Sequence, residues 1–234
     1  MVNHVVRWMD KALNLLVLLL VAVVLFVSVY SLMDNIQLYR NAQDDSLFVY
    51  KPPLGTALAD YKRISEKQTA WLTLHDTNVD YPVMQGKNNF EFLNYDPYGE
   101  FKLSGSIFLD CNNDKNYQDE FSLIYGHHLD YNTMFGALDL YLDKDYFDSH
   151  AQGTLTTADG VYDIDLFAVS GADGTDPTIF SPHGRTTEEI IAYIEENADI
   201  YTGYEASKPI LALSTCYGET AESRLVVFGT LTRR

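Results

Sequence analysis

Cysteine and positive charge are both scarce in this chain. Its 234 residues include two cysteines, Cys111 and Cys216, so no disulfide framework holds the fold. No Cys/His cluster has zinc spacing, and no glycine-rich loop is built to cradle a phosphate. Lys and Arg number 16 against 33 Asp and Glu, a net charge of −17. That balance disfavours nucleic acid as a partner, because phosphate binding needs a basic face. It equally disfavours docking of the soluble part on an anionic lipid surface. Internal repeats and low-complexity segments are absent. The nearest approach to a metal motif is Asp110-Cys111-Asn112-Asn113-Asp114-Lys115-Asn116, which opens like a calcium loop. Lys115 stands where that loop needs Gly, and no Glu occupies the twelfth place. The segment is expected to be an acidic surface turn, with no metal or other cofactor bound by the chain.

Long apolar sequence occurs once. Ala12 to Met33 is interrupted only by Asn14, Ser28 and Ser31, and Leu15 to Val27 is unbroken. At about 1.5 Å per helical residue, roughly 20 residues cross a bilayer core, so this run suffices. It is apolar on every face, unlike a helix lying on a soluble core. Arg7 and Lys11 precede it, and Asp34, Asp44 and Asp45 follow. The positive-inside bias then puts residues 1–11 in the cytoplasm, 12–33 in the membrane and the rest outside. A cleaved signal peptide ending near Val29-Tyr30-Ser31 is the competing reading, but the run is longer than a usual signal core. Either way the remainder is exported; the uncleaved single-pass anchor is preferred.

Residues 34–63 read as a helical or mixed spacer, broken at Pro52-Pro53 and turned at Gly55, with a second short helix over Leu58–Lys67. From Ala70 the pattern changes to short strands. These are expected at Ala70–His75, Val79–Met84, Ser106–Leu109, Phe121–Tyr125, Thr154–Thr157, Val161–Ser170, Pro209–Thr215 and Arg224–Leu231. Val161-Tyr162-Asp163-Ile164-Asp165-Leu166 alternates as a half-buried strand should. Abundant tyrosine, 17 in all, suits such a fold. Helices are expected at Asn132–Leu142 and Thr186–Tyr201. The second is capped by Thr186 or Thr187, with an apolar stripe of Ile190, Ile191, Ile194 and Ala198. About eight strands with few helices predict a mainly β fold, a closed or nearly closed, antiparallel-rich barrel.

Three chemistry-bearing residues sit at strand ends. Leu211-Ala212-Leu213-Ser214-Thr215 ends on Cys216, Arg224 opens the apolar run Leu225-Val226-Val227-Phe228, and Phe121–Tyr125 runs into Gly126-His127-His128. A thiol, an imidazole and a permanent cation are the minimal kit for acyl transfer through a thioester. The thiol needs a base or cation to become nucleophilic, and the tetrahedral oxyanion needs a positive donor. Arg suits the second role better than Lys, because its planar fork offers several donors. His127 and His128 compete for the base; neighbours on a strand face opposite ways, so only one can reach the thiol. Glu219 and Glu222 are expected to be solvated loop charges, or a partner for Arg224 or for an incoming amine. His75, His150 and His183 have no motif around them and read as surface residues.

These motifs resemble the active site of the sortases, cysteine transpeptidases of Gram-positive cell surfaces. Tyr125-Gly126-His127, Leu213-Ser214-Thr215-Cys216 and Arg224 match in chain order. Gly105-Ser106-Ile107-Phe108-Leu109-Asp110, Met134-Phe135 after the His pair and the helix before the Cys strand are similar to class B members. The likeness runs from about Ile64 to Leu231. Cys111 departs from the pattern, and the stretch between Cys216 and Arg224 is short for the class. The resemblance implies an eight-stranded sortase barrel over 64–234, with a helix walling the substrate groove. It selects His127, the residue after Gly, beside nucleophile Cys216 and oxyanion donor Arg224. Ser214, Thr215 and Tyr217 are expected to contact substrate. A Cys111–Cys216 bridge would consume the nucleophile, so two free thiols are expected. The implied partners are secreted proteins with a C-terminal sorting signal and an amine, from a peptidoglycan cross-bridge or a pilin Lys. A purely hydrolytic cysteine peptidase and a tethered, inactive binding module are the alternatives.

Overall fold

The structure, a computed structural model, describes residues 2–42, 44–205, 207–218, 220 and 222–234. It separates into an N-terminal unit up to Asn41 and a second unit, Ala42–Arg234. The first consists of helix α1 (Val2–Ala42), whose last residue belongs to the second unit. Among the described residues, this is the one helix long and apolar enough to cross a membrane. Its polar interruptions do not break it: the Ser28 hydroxyl donates to the Val24 carbonyl one turn back, at 2.8 Å.

In the second unit, Asp44 caps a 3-10 turn over Asp45–Tyr50 by accepting the Ser46 N–H. The helix expected over Leu58–Lys67 reduces to a 3-10 turn at Leu58–Asp60. Side chains there compete for the backbone: Gln68 Oε1 accepts the Ile64 N–H and Ser65 Oγ accepts that of Lys67.

The strands are β1 (Gln68–Leu74), β2 (Asp80–Met84), β3 (Ile107–Leu109), β4 (Phe121–Tyr125), β5 (His128–Leu129), β6 (Thr133–Met134), β7 (Gln152–Thr157), β8 (Gly160–Asp173), β9 (Ile200–Tyr201), β10 (Ile210–Cys216) and β11 (Ser223–Arg233). Eight of them form a barrel in the order β11-β10-β4-β3-β2-β1-β7-β8, closed by pairing of β8 with β11. All eight expected strands are present, and β7, β8 and β11 run longer than the apolar pattern indicated. The barrel is mixed, since β2–β3 and β4–β10 run parallel. β9 adds to one edge of β8, and β5 and β6 make a separate hairpin.

β10 shows why its sequence is apolar without alternation. Leu211 and Leu213 belong to the barrel core with Ile124, Leu225 and Val227. Ile210 and Ala212 face the other way, packing with Phe121, Val226 and Phe228 against Ile179, Ile190 and Ile194. A strand buried on both faces needs apolar residues at every position. The outer cover comes from α3 (Pro177–Phe180) and α4 (Thr187–Asn197). Thr186 and Glu189 form a capping box at the start of α4. The helix stops short of Tyr201 because Ile200–Tyr201 pair with β8. The helix expected over Asn132–Leu142 starts late, at Phe135, and is 3-10. Tyr131, Asn132 and Met134 have positive φ, Thr133–Met134 pair with β5, and a 3-10 turn follows over Phe135–Leu142.

Candidate active site

The parallel pairing of β4 with β10 brings their carboxyl ends to one edge of the barrel. Gly126 lies there, clasped on both sides. Its N–H donates to the Ser214 carbonyl at 3.1 Å, and its carbonyl accepts the Thr215 hydroxyl at 2.9 Å. A Cβ on residue 126 would fall 2.4 Å from Ile107 Cδ1 and 2.7 Å from the Phe135 ring, so only glycine fits. The residue after this clasp is His127.

Antiparallel register sets Cys216 of β10 directly opposite Arg224 of β11. Such partners have Cα atoms about 5 Å apart. A groove of about 350 Å³ is lined by Cys216, His127 and Arg224 together. The thiol is exposed and free. His127 Nε2 lies 2.6 Å from the Leu93 carbonyl, which can only accept, so Nε2 carries the proton and Nδ1 of the neutral ring keeps its lone pair. His128 turns elsewhere, its Nε2 bonding Asp139 Oδ2 at 2.8 Å. Arg224 donates from Nη1 to the Ser223 carbonyl at 2.9 Å.

Of the residues expected to contact substrate, Ser214 and Thr215 line the groove. The Thr215 hydroxyl is occupied by Gly126. The Ser214 hydroxyl is buried and has no hydrogen-bond partner. Tyr217 is exposed, is absent from the lining, and donates its N–H to the Ser223 carbonyl. Glu222 is exposed, its carbonyl accepting the Gly174 N–H at 2.7 Å; Glu219 lies outside the described residues.

Other groove residues escaped the sequence reading. Leu93 acts through a carbonyl, which any residue supplies. Gly174 makes room for the cation, since a Cβ there would sit 3.2 Å from Arg224 Cζ. Phe180 stacks on Tyr125 with ring centroids 6.5 Å apart. Asn89 and Phe90 come from the loop between β2 and β3. Burial, then the Asp110 carboxylate, hold the Tyr125 phenol far above the usual tyrosine pKa, so it is a permanent donor.

The Asp110–Asn116 segment is a turn with Asn112, Asp114 and Lys115 exposed as expected, but two of its residues point inward. Asp110 is 1% and Asn113 5% exposed. Asn113 ties the turn inward, donating to the Phe121 carbonyl and accepting from the Leu123 N–H. Cys111 is a free, partly buried thiol, with its pKa raised by burial and then by Asp110. No group of three or more His, Cys, Asp or Glu is placed to hold a metal among the described residues.

Comparison with known proteins places this geometry. A family model described as the Sortase domain matches residues 72–232. Sortase B of Listeria monocytogenes is 29% identical over 218 residues, 84% of this chain and 88% of the relative. Sortase B of Staphylococcus aureus is 29% identical over 176 residues, 71% of each chain. Among solved structures, a Streptococcus pyogenes class B sortase involved in pilus biogenesis superposes with TM-score 0.67 at 32% identity, covering 82% of this chain and 100% of its own. A Staphylococcus aureus sortase B–substrate complex gives TM-score 0.66 at 27% identity, covering 73% and 82%.

Proposed function

The chain belongs to the sortase family of transpeptidases, with class B sortases as its relatives, and on that premise we propose a membrane-anchored enzyme that joins secreted proteins to an amine through a Cys216 thioester. The observation that carries this reading is the convergence of Cys216, Arg224 and His127 on one groove, with the first two directly paired across strands.

In the first step Cys216 Sγ attacks the carbonyl carbon of the Thr residue in a C-terminal sorting motif. Arg224 stabilises the oxyanion, with backbone N–H groups near Cys216. His127 Nδ1 takes the thiol proton as Sγ attacks and gives it to the departing amine as the C–N bond breaks, and a thioester remains. Leu93 occupies Nε2, so Nδ1 is the nitrogen that exchanges protons. In the second step an amine attacks the thioester, His127 takes its proton, and the thiolate leaves. Ser214 and Thr215 form part of the groove floor against which the peptide lies.

The apolar run 12–33 of α1 serves as the anchor, with 1–11 cytoplasmic, 34–63 an external spacer and 64–234 the catalytic barrel. It holds the enzyme where secreted substrates emerge. The amine is a peptidoglycan cross-bridge. A pilin Lys is the second reading, favoured by the likeness to the Streptococcus pyogenes protein.

The test presents the full chain with a panel of sorting-motif peptides and several amines, and identifies products by mass spectrometry. A transfer product that depends on Cys216 supports the proposal, and the preferred amine separates wall anchoring from pilin joining. Acid alone, whatever amine is added, marks a hydrolytic peptidase instead. Normal transfer by the Cys216→Ala protein ends the proposal.

A further inference from the structure

One buried carboxylate outside the reacting set is aimed at the groove wall. Asp110 directly follows β3 and is almost fully buried. Its two oxygens divide their work. Oδ1 closes its own turn, accepting the Asn112 N–H at 2.8 Å and Asn112 Nδ2 at 3.1 Å. Oδ2 serves the groove, accepting the Tyr125 hydroxyl at 2.9 Å and Asn89 Nδ2 at 2.7 Å. Tyr125 and Asn89 both line the groove.

The next residue completes the grip. The Cys111 N–H donates to Asn89 Oδ1 at 2.8 Å. Both ends of the Asn89 amide are therefore held by consecutive residues. Flipping that amide would set oxygen against oxygen and N–H against N–H. The Tyr125 ring is held as firmly, packing on Phe108 at 5.3 Å and stacking on Phe180. Its hydroxyl keeps its proton and so always has a hydrogen bond to give to Asp110.

We infer that Asp110 is a positioning residue for peptide binding, which sets the orientation of Tyr125 and Asn89 on the groove wall and takes no part in the thiol chemistry. The inference rests on the groove being the peptide site proposed above. Its physical basis is that a carboxylate accepts on both oxygens, whereas an asparagine side chain keeps a single acceptor. An asparagine in its place can satisfy the turn or the groove, not both. One pair of partly buried donors then loses its partner and the wall loses its fixed geometry.

The test compares full-length Asp110→Asn, Tyr125→Phe and the double variant with the unsubstituted enzyme. Asp110→Asn should raise KM for a sorting peptide about ten-fold while kcat changes less than about two-fold. The rate at which iodoacetamide alkylates Cys216 should not change, because a small reagent does not use the wall. Tyr125→Phe keeps the ring contacts and removes only the donor. It should raise KM by less than Asp110→Asn, and the double variant should match Asp110→Asn instead of adding to it. Additive effects, or a fall in kcat and alkylation rate at constant KM, would overturn the inference. If Asp110→Asn does not fold, Tyr125→Phe decides alone: raised KM with normal alkylation supports the inference, and unchanged KM overturns it. An unsubstituted protein that forms no acyl-enzyme overturns the functional reading, and this inference with it. Normal acylation by Asp110→Asn at unchanged KM overturns the inference alone.

Discussion

Replacing Gly126 by Ala should damage fold and catalysis together, because one backbone position serves both. The added methyl would meet Ile107 Cδ1 at 2.4 Å and the Phe135 ring at 2.7 Å. Those side chains are 1% and 0% exposed, so neither can swing aside into solvent. Backbone strain is not the objection, since Gly126 is not among the positive-φ glycines. Overpacking of this kind costs about 1–3 kcal/mol. For a chain of this size that is a fall of roughly 2–12 °C in unfolding temperature. The alternative to compressing the core is to push residue 126 outward, stretching its bonds to Ser214 and Thr215 and carrying His127 with it. A displacement near 1 Å can cost about 100-fold in rate. The assay pairs thermal unfolding of the full chain in detergent with the rate of acyl-enzyme formation from a sorting peptide. At least one of the two should fall markedly. A Gly126→Ala protein with native unfolding temperature and native acylation rate would refute it.

Arg224→Ala should lower acylation by about 10²–10³-fold with the unfolding temperature nearly unchanged, and Arg224→Lys should recover only part of it; equal activity of all three proteins would remove Arg224 from the mechanism. His127→Ala should abolish transfer, while His128→Ala should keep it and lose at most about 1 kcal/mol from the partly exposed contact to Asp139; the opposite pattern in a transfer assay would exchange their roles. In the Cys216→Ala protein, Cys111 should react slowly with iodoacetamide near neutrality. Its raised pKa delays the thiolate, so labelling should climb only as pH rises above the usual cysteine range; fast labelling at neutral pH would contradict that. Thr186→Ala removes half of the capping box on α4 and should cost about 1 kcal/mol by thermal unfolding, with kcat unchanged.

The barrel was legible in the sequence for a definite reason. The Val161–Leu166 stretch of β8 alternates, and β10 is apolar from Ile210 to Leu213 because it is buried on both faces. Both patterns are one-dimensional. Of the helix expected over Asn132–Leu142, Phe135–Leu142 forms as 3-10, while the strand pairing of Thr133–Met134 went unseen because positive φ at Tyr131 and Met134 leaves no mark in those residue types. Cys216, His127 and Arg224 were singled out through motifs at strand ends, and the pairing of β10 with β4 and β11 explains why they line one groove. Leu93 was beyond reach, since its contribution is a carbonyl. Asp110 was visible as a residue but misplaced. A turn rich in Asp and Asn looks solvated in sequence, and only the fold shows its carboxylate bonded to Asn89 and Tyr125.

The central claim is that Cys216 carries the peptide as a thioester. The most direct measurement is to mix the full chain with a sorting-motif peptide, quench in acid, and locate the added acyl mass by tandem mass spectrometry. The account predicts a single acyl group on Cys216, released when an amine is added, with Cys111 unmodified. An acyl group found on any other residue, or transfer proceeding with Cys216 never acylated, would contradict it.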